Sequence, residues 1–330
     1  MKRALVIGID AYPTSPLSGC VNDAASIANT LERNGDGSPN FGVKLLTSNG
    51  VHVSTGVLHE AIVDLFKADA EIALLFFAGH GVINTETNAG YLVSQDGQKP
   101  SWGISLSDVI DLANKAYPRI KSTVIILDSC QSGYAGEIQG ISGSASALIG
   151  NGVTILTACH RDGFASESGG HGLFTGLLLD GLSGSAADVC GRITPAGLYS
   201  LIDQTLGEWE QRPVYKANVQ HFVVLRSVAP KVPLEVLRRL PDYFPDPGYE
   251  FPLDPSHEPD RNSLSPEQKI NFPEDEDKQR LFKELQMCNR HGLVAPVHAD
   301  HMFFAAIEEK SCKLTALGAH YRNLAVLKRI

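Results

Sequence analysis

The chain has 330 residues, 43% hydrophobic and 20% charged, which is ordinary for a globular protein with room for one large domain and a smaller one. A formal charge of -9 disfavours a dedicated binder of nucleic acid or of anionic membrane surfaces. Six cysteines without a CxxC pair do not form a disulfide framework, and no apolar run reaches 18 residues, so free thiols and a cytoplasmic location are expected.

The start, MKRALVIGID, has too short an apolar stretch for a secretion signal and reads as a first strand over 3–10. Asn22-Asp23 then reads as the cap of a helix that stops at Gly35. A strand follows at 42–47, then a helix capped by Ser54-Thr55, then the apolar strand EIALLFFA at 71–78. Ser105, with Asp108 three residues on, opens a helix to Tyr117. Strands are predicted at 122–128 and 152–158, helices at 174–182 and 194–206, the latter with Pro195 at its first position, and a last strand at 218–225. Most of these strands are too apolar to be covered on one face alone. Strands alternating with helices predict an α/β domain, a three-layer sandwich around a mainly parallel sheet of about six strands.

Beyond residue 228 the composition changes. Residues 240–277 hold eight of the eighteen prolines and eleven acids against two basic residues, so 229–277 reads as an extended acidic linker. Its aromatics Tyr243, Phe244, Tyr249 and Phe251 imply that part of it lies along the first domain. Residues 278–330 read as a small α+β module: a helix, a strand at MFFAAI and a helix at KLTALGAHYRNLAVL. This order resembles a winged-helix module, whose simplest use is docking a regulatory protein. The module's nine Lys and Arg against four acids also raise nucleic-acid binding, which the acidic linker and the overall charge disfavour. Cys288, His291, His298 and His301 are of types that suit zinc, but short-spaced histidines cluster often by chance, and no metal is assigned.

Two strands end in residues able to do chemistry. FFAGHG places His80 at one strand end, and VIILDSCQSG places Cys130 at another. In a parallel sheet the carboxyl ends of the strands open onto one crevice, where ligands bind. A thiol there needs a neighbouring imidazole as base or ion-pair partner, and the amides of Gly81 and Cys130 would hold an oxyanion. Either residue alone is commonly structural, a lone cysteine most often serving as a small hydrophobe. Motifs for a GxSxG elbow, a dinucleotide fold or a Walker loop are missing from the sequence.

AGHG at 78–81, DSCQSG at 128–133 and GCVNDA at 19–24 together resemble the caspase and metacaspase clan of cysteine endopeptidases. LTACHRDGFASE (156–167) and HGLFTGLLLDGL (171–182) are similar to the small-subunit half of its bacterial members. The spacing of 50 between His80 and Cys130 is the clan's own signature, not an independent finding. The resemblance covers about residues 1–226 and implies a peptidase domain over 1–228 that uses a Cys130–His80 dyad.

By the same resemblance Asp23 and Asp128 match the acids with which metacaspases bind Arg or Lys before the scissile bond. The structural alternatives are a helix cap for Asp23 and a strand-end acceptor for Asp128. Protein or peptide substrates are implied, with a role in bacterial stress or antiphage defence. The chain departs from the clan in two places. Gln131 replaces a usual histidine, and the stretch after His80 carries only Glu86 and Asp96, too few acids for the calcium site that metacaspases often need, so no cofactor is expected. No Lys, Arg or Asp follows Cys130 before His160, so self-cleavage in that loop is not expected. The alternative is a caspase-like pseudoenzyme or scaffold whose carboxyl-terminal module binds a protein or nucleic acid.

Overall fold

The computed structural model describes residues 1–84, 86–87, 89–129, 149–158, 167–168, 170–206 and 213–330. They form two compact units, Met1–Ala229 and Pro230–Ile330.

The first unit runs β1 (Lys2–Gly8), α1 (Cys20–Glu32), β2 (Phe41–Thr47), α2 (Thr55–Lys67), β3 (Ala70–Ala78), β4 (Gly81–Asn84), β5 (Ala89–Gln98), β6 (Ser101–Ser105), α3 (Leu106–Ala116) and β7 (Ile120–Asp128). It continues with β8 (Val153–Thr157), β9 (Glu167–Ser168), β10 (His171–Gly172), α4 (Leu173–Asp180), β11 (Arg192–Ile193), α5 (Pro195–Thr205), β12 (Val214–Asn218) and β13 (Arg226–Ser227). Among the described residues one sheet has six strands in the order β12-β8-β7-β3-β1-β2. All neighbours are parallel except β12, which runs antiparallel to β8.

Both faces of this sheet are covered. Leu5, Ile7, Leu75, Phe77, Ile125 and Leu127 point into one buried cluster with Leu58, Ile62 and Ile110 of α2 and α3. The alternate residues Val6, Leu74, Phe76, Val124 and Ile126 point into a second cluster with Ile27, Leu178 and Ile202 of α1, α4 and α5. Period-two side chains buried on both sides explain why these strands are continuous apolar runs. The helices begin where their hydroxyls predict: Ser54 accepts the Val57 amide, Ser105 that of Asp108 and Thr194 that of Gly197.

Several expectations are corrected here. Helix α1 begins at Cys20, and the carboxylate of Asp10 accepts the amides of Cys20 and Val21, so Asp23 lies inside the helix and is not its cap. The strand expected at 218–225 is displaced: β12 ends at Asn218, and in the apolar run beyond it Phe222 is 66% exposed while Val223 and Leu225 are buried in the second cluster without joining the six-stranded sheet. The stretch after His80 pairs as the antiparallel sheet β4-β5-β6.

The second unit contains α6 (Leu234–Tyr243), β14 (Glu250–Pro252), α7 (Pro266–Asn271), α8 (Glu276–Arg290), β15 (Val294–Val297), α9 (Met302–Ile307), β16 (Ser311–Leu314) and α10 (Ala316–Val326), with its strands ordered β14-β16-β15. The stretch expected as a linker thus supplies α6, α7 and β14 to this unit. Phe244 is fully buried and meets the Phe251 ring, which in turn meets His257, so these aromatics pack within the second unit. Prolines are built into elements here, Pro241 inside α6, Pro252 at the end of β14 and Pro266 at the start of α7. MFFAAI is helix α9, not a strand, because Met302, Ala305 and Ala306 are its buried residues, at helical spacing. The helix–strand–helix order behind the winged-helix resemblance is therefore not the order observed. Among the described residues no group of three or more His, Cys, Asp or Glu is placed to hold a metal, and Cys288 is buried in α8.

Candidate active site

Strands β3 and β7 are neighbours in register, with Ala78 opposite Asp128. His80 follows β3 by two residues, and Cys130 follows β7 by the same number, at the carboxyl ends of adjacent parallel strands. Cys130 itself, its amide and Gln131 lie outside the described residues.

His80 is held from three sides. Its Nε2 lies 2.7 Å from the carbonyl oxygen of Ser15. A carbonyl only accepts, so Nε2 carries the proton, and in the neutral tautomer the lone pair is then on Nδ1. The His80 amide donates to the Tyr12 hydroxyl at 3.0 Å, and that hydroxyl donates to the Val93 carbonyl at 3.2 Å. The Tyr12 and His80 rings lie 4.5 Å apart. Gly79 is required by this packing, since a Cβ there would come within 2.5 Å of the Tyr12 oxygen. Val93 donates its amide to His80 O, and Gly81 pairs with Leu92 one step on. Antiparallel pairs alternate in hydrogen bonding, so the Gly81 amide turns away from β5.

Tyr12→Phe keeps the ring and removes both bonds of the hydroxyl. It is expected to lower kcat about tenfold with KM nearly unchanged, and to cost about 1 kcal/mol of stability, the worth of a buried hydrogen bond. Steady-state kinetics and thermal melting read the two effects separately; a rise in KM alone would refute a positioning role.

The second cluster surrounds the expected substrate acids. Asp23 is buried, and its Oδ1 lies 2.6 Å from His171 Nδ1. Asp128 Oδ2 accepts the Thr175 hydroxyl at 2.6 Å. Between the two carboxylates lies Gly172: a Cβ there would be 3.5 Å from Asp23 Oδ2 and 3.5 Å from Asp128 Oδ2. Burial pushes the Asp23 carboxyl up to about 6, with the charge of Asp128 adding to the rise and the hydrogen bond from His171 opposing it. Burial and the charges of Asp10, Asp128 and Asp23 also push the Cys20 thiol well above its ordinary range. A cation placed between Asp23 and Asp128 would relieve this crowding of negative charge.

A sequence profile of the family described as caspase domain matches residues 1–219. The chain belongs to this family. It is therefore a cysteine-type peptidase, a thiol protease whose substrates are proteins or peptides. Among solved structures it is similar to protein GSU0716 from Geobacter sulfurreducens, at 16% identity and a TM-score of 0.50, over 69% of this chain and 97% of that one. At that identity the likeness bears on the fold alone. Among curated proteins none matches the chain. No helix among the described residues is long and apolar enough to cross a membrane.

The residues of the caspase-domain chain that sequence reasoning missed are those holding the candidates in place. Tyr12 and Ser15 lie 68 and 65 positions from His80, and His171 lies 148 from Asp23, so no local pattern links them. The one available signal was the HGLFTG segment, which carries His171, Gly172 and Thr175. The two acids considered for calcium are committed elsewhere. Glu86 pairs with Lys99 at 2.9 Å, and Asp96 accepts from the Thr55 amide and the Ser94 hydroxyl. They do not fit a calcium cage, which takes six to eight oxygen ligands.

Proposed function

We propose that this peptidase cleaves protein chains after Arg or Lys, with Cys130 as nucleophile and His80 as its base. His80 Nδ1 takes the proton of the Cys130 thiol, and the sulfur so freed attacks the scissile carbonyl carbon, whose π electrons move onto its oxygen. The Gly81 and Cys130 amides hold the oxyanion, and His80 returns the proton to the leaving amine. Water then hydrolyses the thioester, giving its proton to His80 and releasing the carboxylic acid and the thiol.

The observation that carries the specificity is the convergence of Asp23 and Asp128 on the space beside Gly172. A guanidinium or ammonium there meets two carboxylates whose present partners, His171, the Gly172 amide and Thr175, do not neutralise both charges, whereas a neutral or acidic side chain adds no opposite charge. The test is a set of fluorogenic peptides ending in Arg, Lys, Asp or Leu. Release after Arg or Lys is expected, with a chelator leaving it unchanged; release after Asp or Leu instead would overturn the reading.

The raised carboxyl of Asp23 gives this specificity a pH limb. Asp23 is charged above about pH 6 and neutral below it, so affinity for a basic residue is present at neutral pH and lost as pH falls through about 6. The kcat/KM for an Arg peptide is expected to fall on that limb, and Asp23→Asn to begin low and lack it. A limb unchanged in Asp23→Asn would assign it to another group.

The second unit has its own core, with Leu237, Leu240, Phe244, Phe282 and Leu285 buried, which supports a separate regulatory module able to dock a protein partner. The family resemblance supports a role for that regulation in stress or antiphage defence. A rise in peptide hydrolysis in extracts of phage-infected cells over uninfected ones would support this, and equal rates would count against it.

A further inference from the structure

The Asp23–His171 contact has no counterpart in the chemistry assigned so far. His171 opens β10, directly before Gly172 and α4, and its imidazole is largely covered by protein. Its Nδ1 takes up one oxygen of Asp23, and the Gly172 amide donates to the other at 3.4 Å. Asn22 fixes the approach to this turn, since its Nδ2 donates to the Gly170 carbonyl at 2.7 Å. The polar and charged side chains placed around the pair are Cys20 and Asn22 on α1, Asp10 after β1, Asp128 on β7 and Thr175 on α4.

We propose that His171 and Gly172 determine the specificity of this pocket, Gly172 by leaving the space for the head of a basic side chain and His171 by selecting arginine over lysine. The inference rests on the Arg/Lys reading of the site and deepens it.

The argument begins with the acceptors. His171 takes Asp23 Oδ1, so the oxygens facing Gly172 come from two different carboxylates; each already accepts one bond, Asp23 Oδ2 from the Gly172 amide at 3.4 Å and Asp128 Oδ2 from Thr175, and a carboxylate oxygen can accept a second. A planar guanidinium has five donors in a fixed fork and bridges two such acceptors at once. An ammonium is a compact, strongly hydrated charge and gains less from two acceptors set apart. The imidazole donor also reduces the negative charge that a point cation would feel. Removing it releases a third acceptor oxygen and favours lysine more than arginine.

Gly172 supplies the room. Its φ of -61° and ψ of 146° are open to any L residue, so glycine is not needed there for its backbone. A methyl group at that position would touch Asp23 and Asp128 at ordinary van der Waals distance and occupy the space between them. Gly172→Ala is thus sterically mild for the fold and obstructive for a ligand.

The experiment measures kcat/KM on matched Arg and Lys peptides for wild type, His171→Ala, His171→Asn and Gly172→Ala. Folding is followed by thermal melting, and the nucleophile by iodoacetamide labelling of Cys130. His171→Ala is expected to lower the Arg-to-Lys ratio about tenfold, the scale of losing the guanidinium's geometric advantage. His171→Asn keeps an N–H near the position of Nδ1 and is expected to retain the ratio, which a merely structural role would not require. Gly172→Ala is expected to raise KM for both peptides about tenfold or more, since the overpacked group is the ligand, with labelling of Cys130 unchanged. A wild type that cleaves after Arg or Lys, with an unchanged ratio in His171→Ala or an unchanged KM in Gly172→Ala, would overturn this inference alone. A wild type that rejects both peptides would overturn the Arg/Lys reading, and this inference with it.

Discussion

Cys130→Ala is expected to abolish peptide hydrolysis, lowering kcat/KM by about three orders of magnitude or more, as loss of a covalent nucleophile does. The physical case starts from the sheet. Strand β7 carries a buried apolar core from Val124 to Leu127 and pairs with β3 as far as Asp128 and Ala78. Two residues beyond each end come Cys130 and His80. On the β3 side the candidate base is held in place: Ser15 accepts the Nε2–H, and Tyr12 and Gly79 fix the backbone from which the imidazole projects. The proposed dyad would use the lone pair on Nδ1, the ring nitrogen that Ser15 does not hold. The variant is expected to melt with the wild type, because the substitution lies beyond the last residues of the β7 core. Peptide turnover by the purified Cys130→Ala protein is the measurement. Turnover at wild-type rate would remove Cys130 from the mechanism and leave the peptidase to use another group.

Asp128→Asn is expected to lower kcat/KM for an Arg peptide by about a hundredfold or more, in the range for removing one charge from a desolvated pair, about 2–5 kcal/mol. The substitution is nearly isosteric, and an amide oxygen still accepts the Thr175 hydroxyl that Asp128 holds at 2.6 Å. What changes is the charge facing Gly172. Because the charge of Asp128 raises the Asp23 carboxyl, its loss is also expected to move the acid limb of the pH profile below about 6. Labelling of Cys130 by iodoacetamide should be unaffected, since a small neutral reagent does not use the basic pocket. Loss of labelling along with hydrolysis would instead mean that Asp128 supports the nucleophile, and the specificity reading would fail at this residue.

The chain's own pattern went far in unit one. RALVIGID, EIALLFFA and STVIILD are strands because β-branched and aliphatic residues occupy both faces, and Ser54, Ser105 and Thr194 start helices by capping their first turns. Such signals act over a few residues, so they survive without tertiary context. The same reasoning misled where composition stood in for burial. The proline-rich acidic stretch became part of a folded unit because Phe244 and Leu253 found a core. MFFAAI became a helix because Met302, Ala305 and Ala306 share one buried face.

For the site, the sequence by itself named the candidates: AGHG and DSC offer groups that could react, and Asp23 and Asp128 carboxylates that could bind a cation. Only the tertiary structure decided the arrangement. It paired β3 with β7, turned Nε2 of His80 to Ser15, replaced Asp23 by Asp10 at the start of α1, and brought His171 to Asp23 and Gly172 between the two acids. The reason is one of range. Caps and periodicity are written in neighbouring residues, whereas the partners of a catalytic imidazole or a buried carboxylate arrive from 65 to 148 positions away, and it is the packing of the sheet and its helices that brings them together.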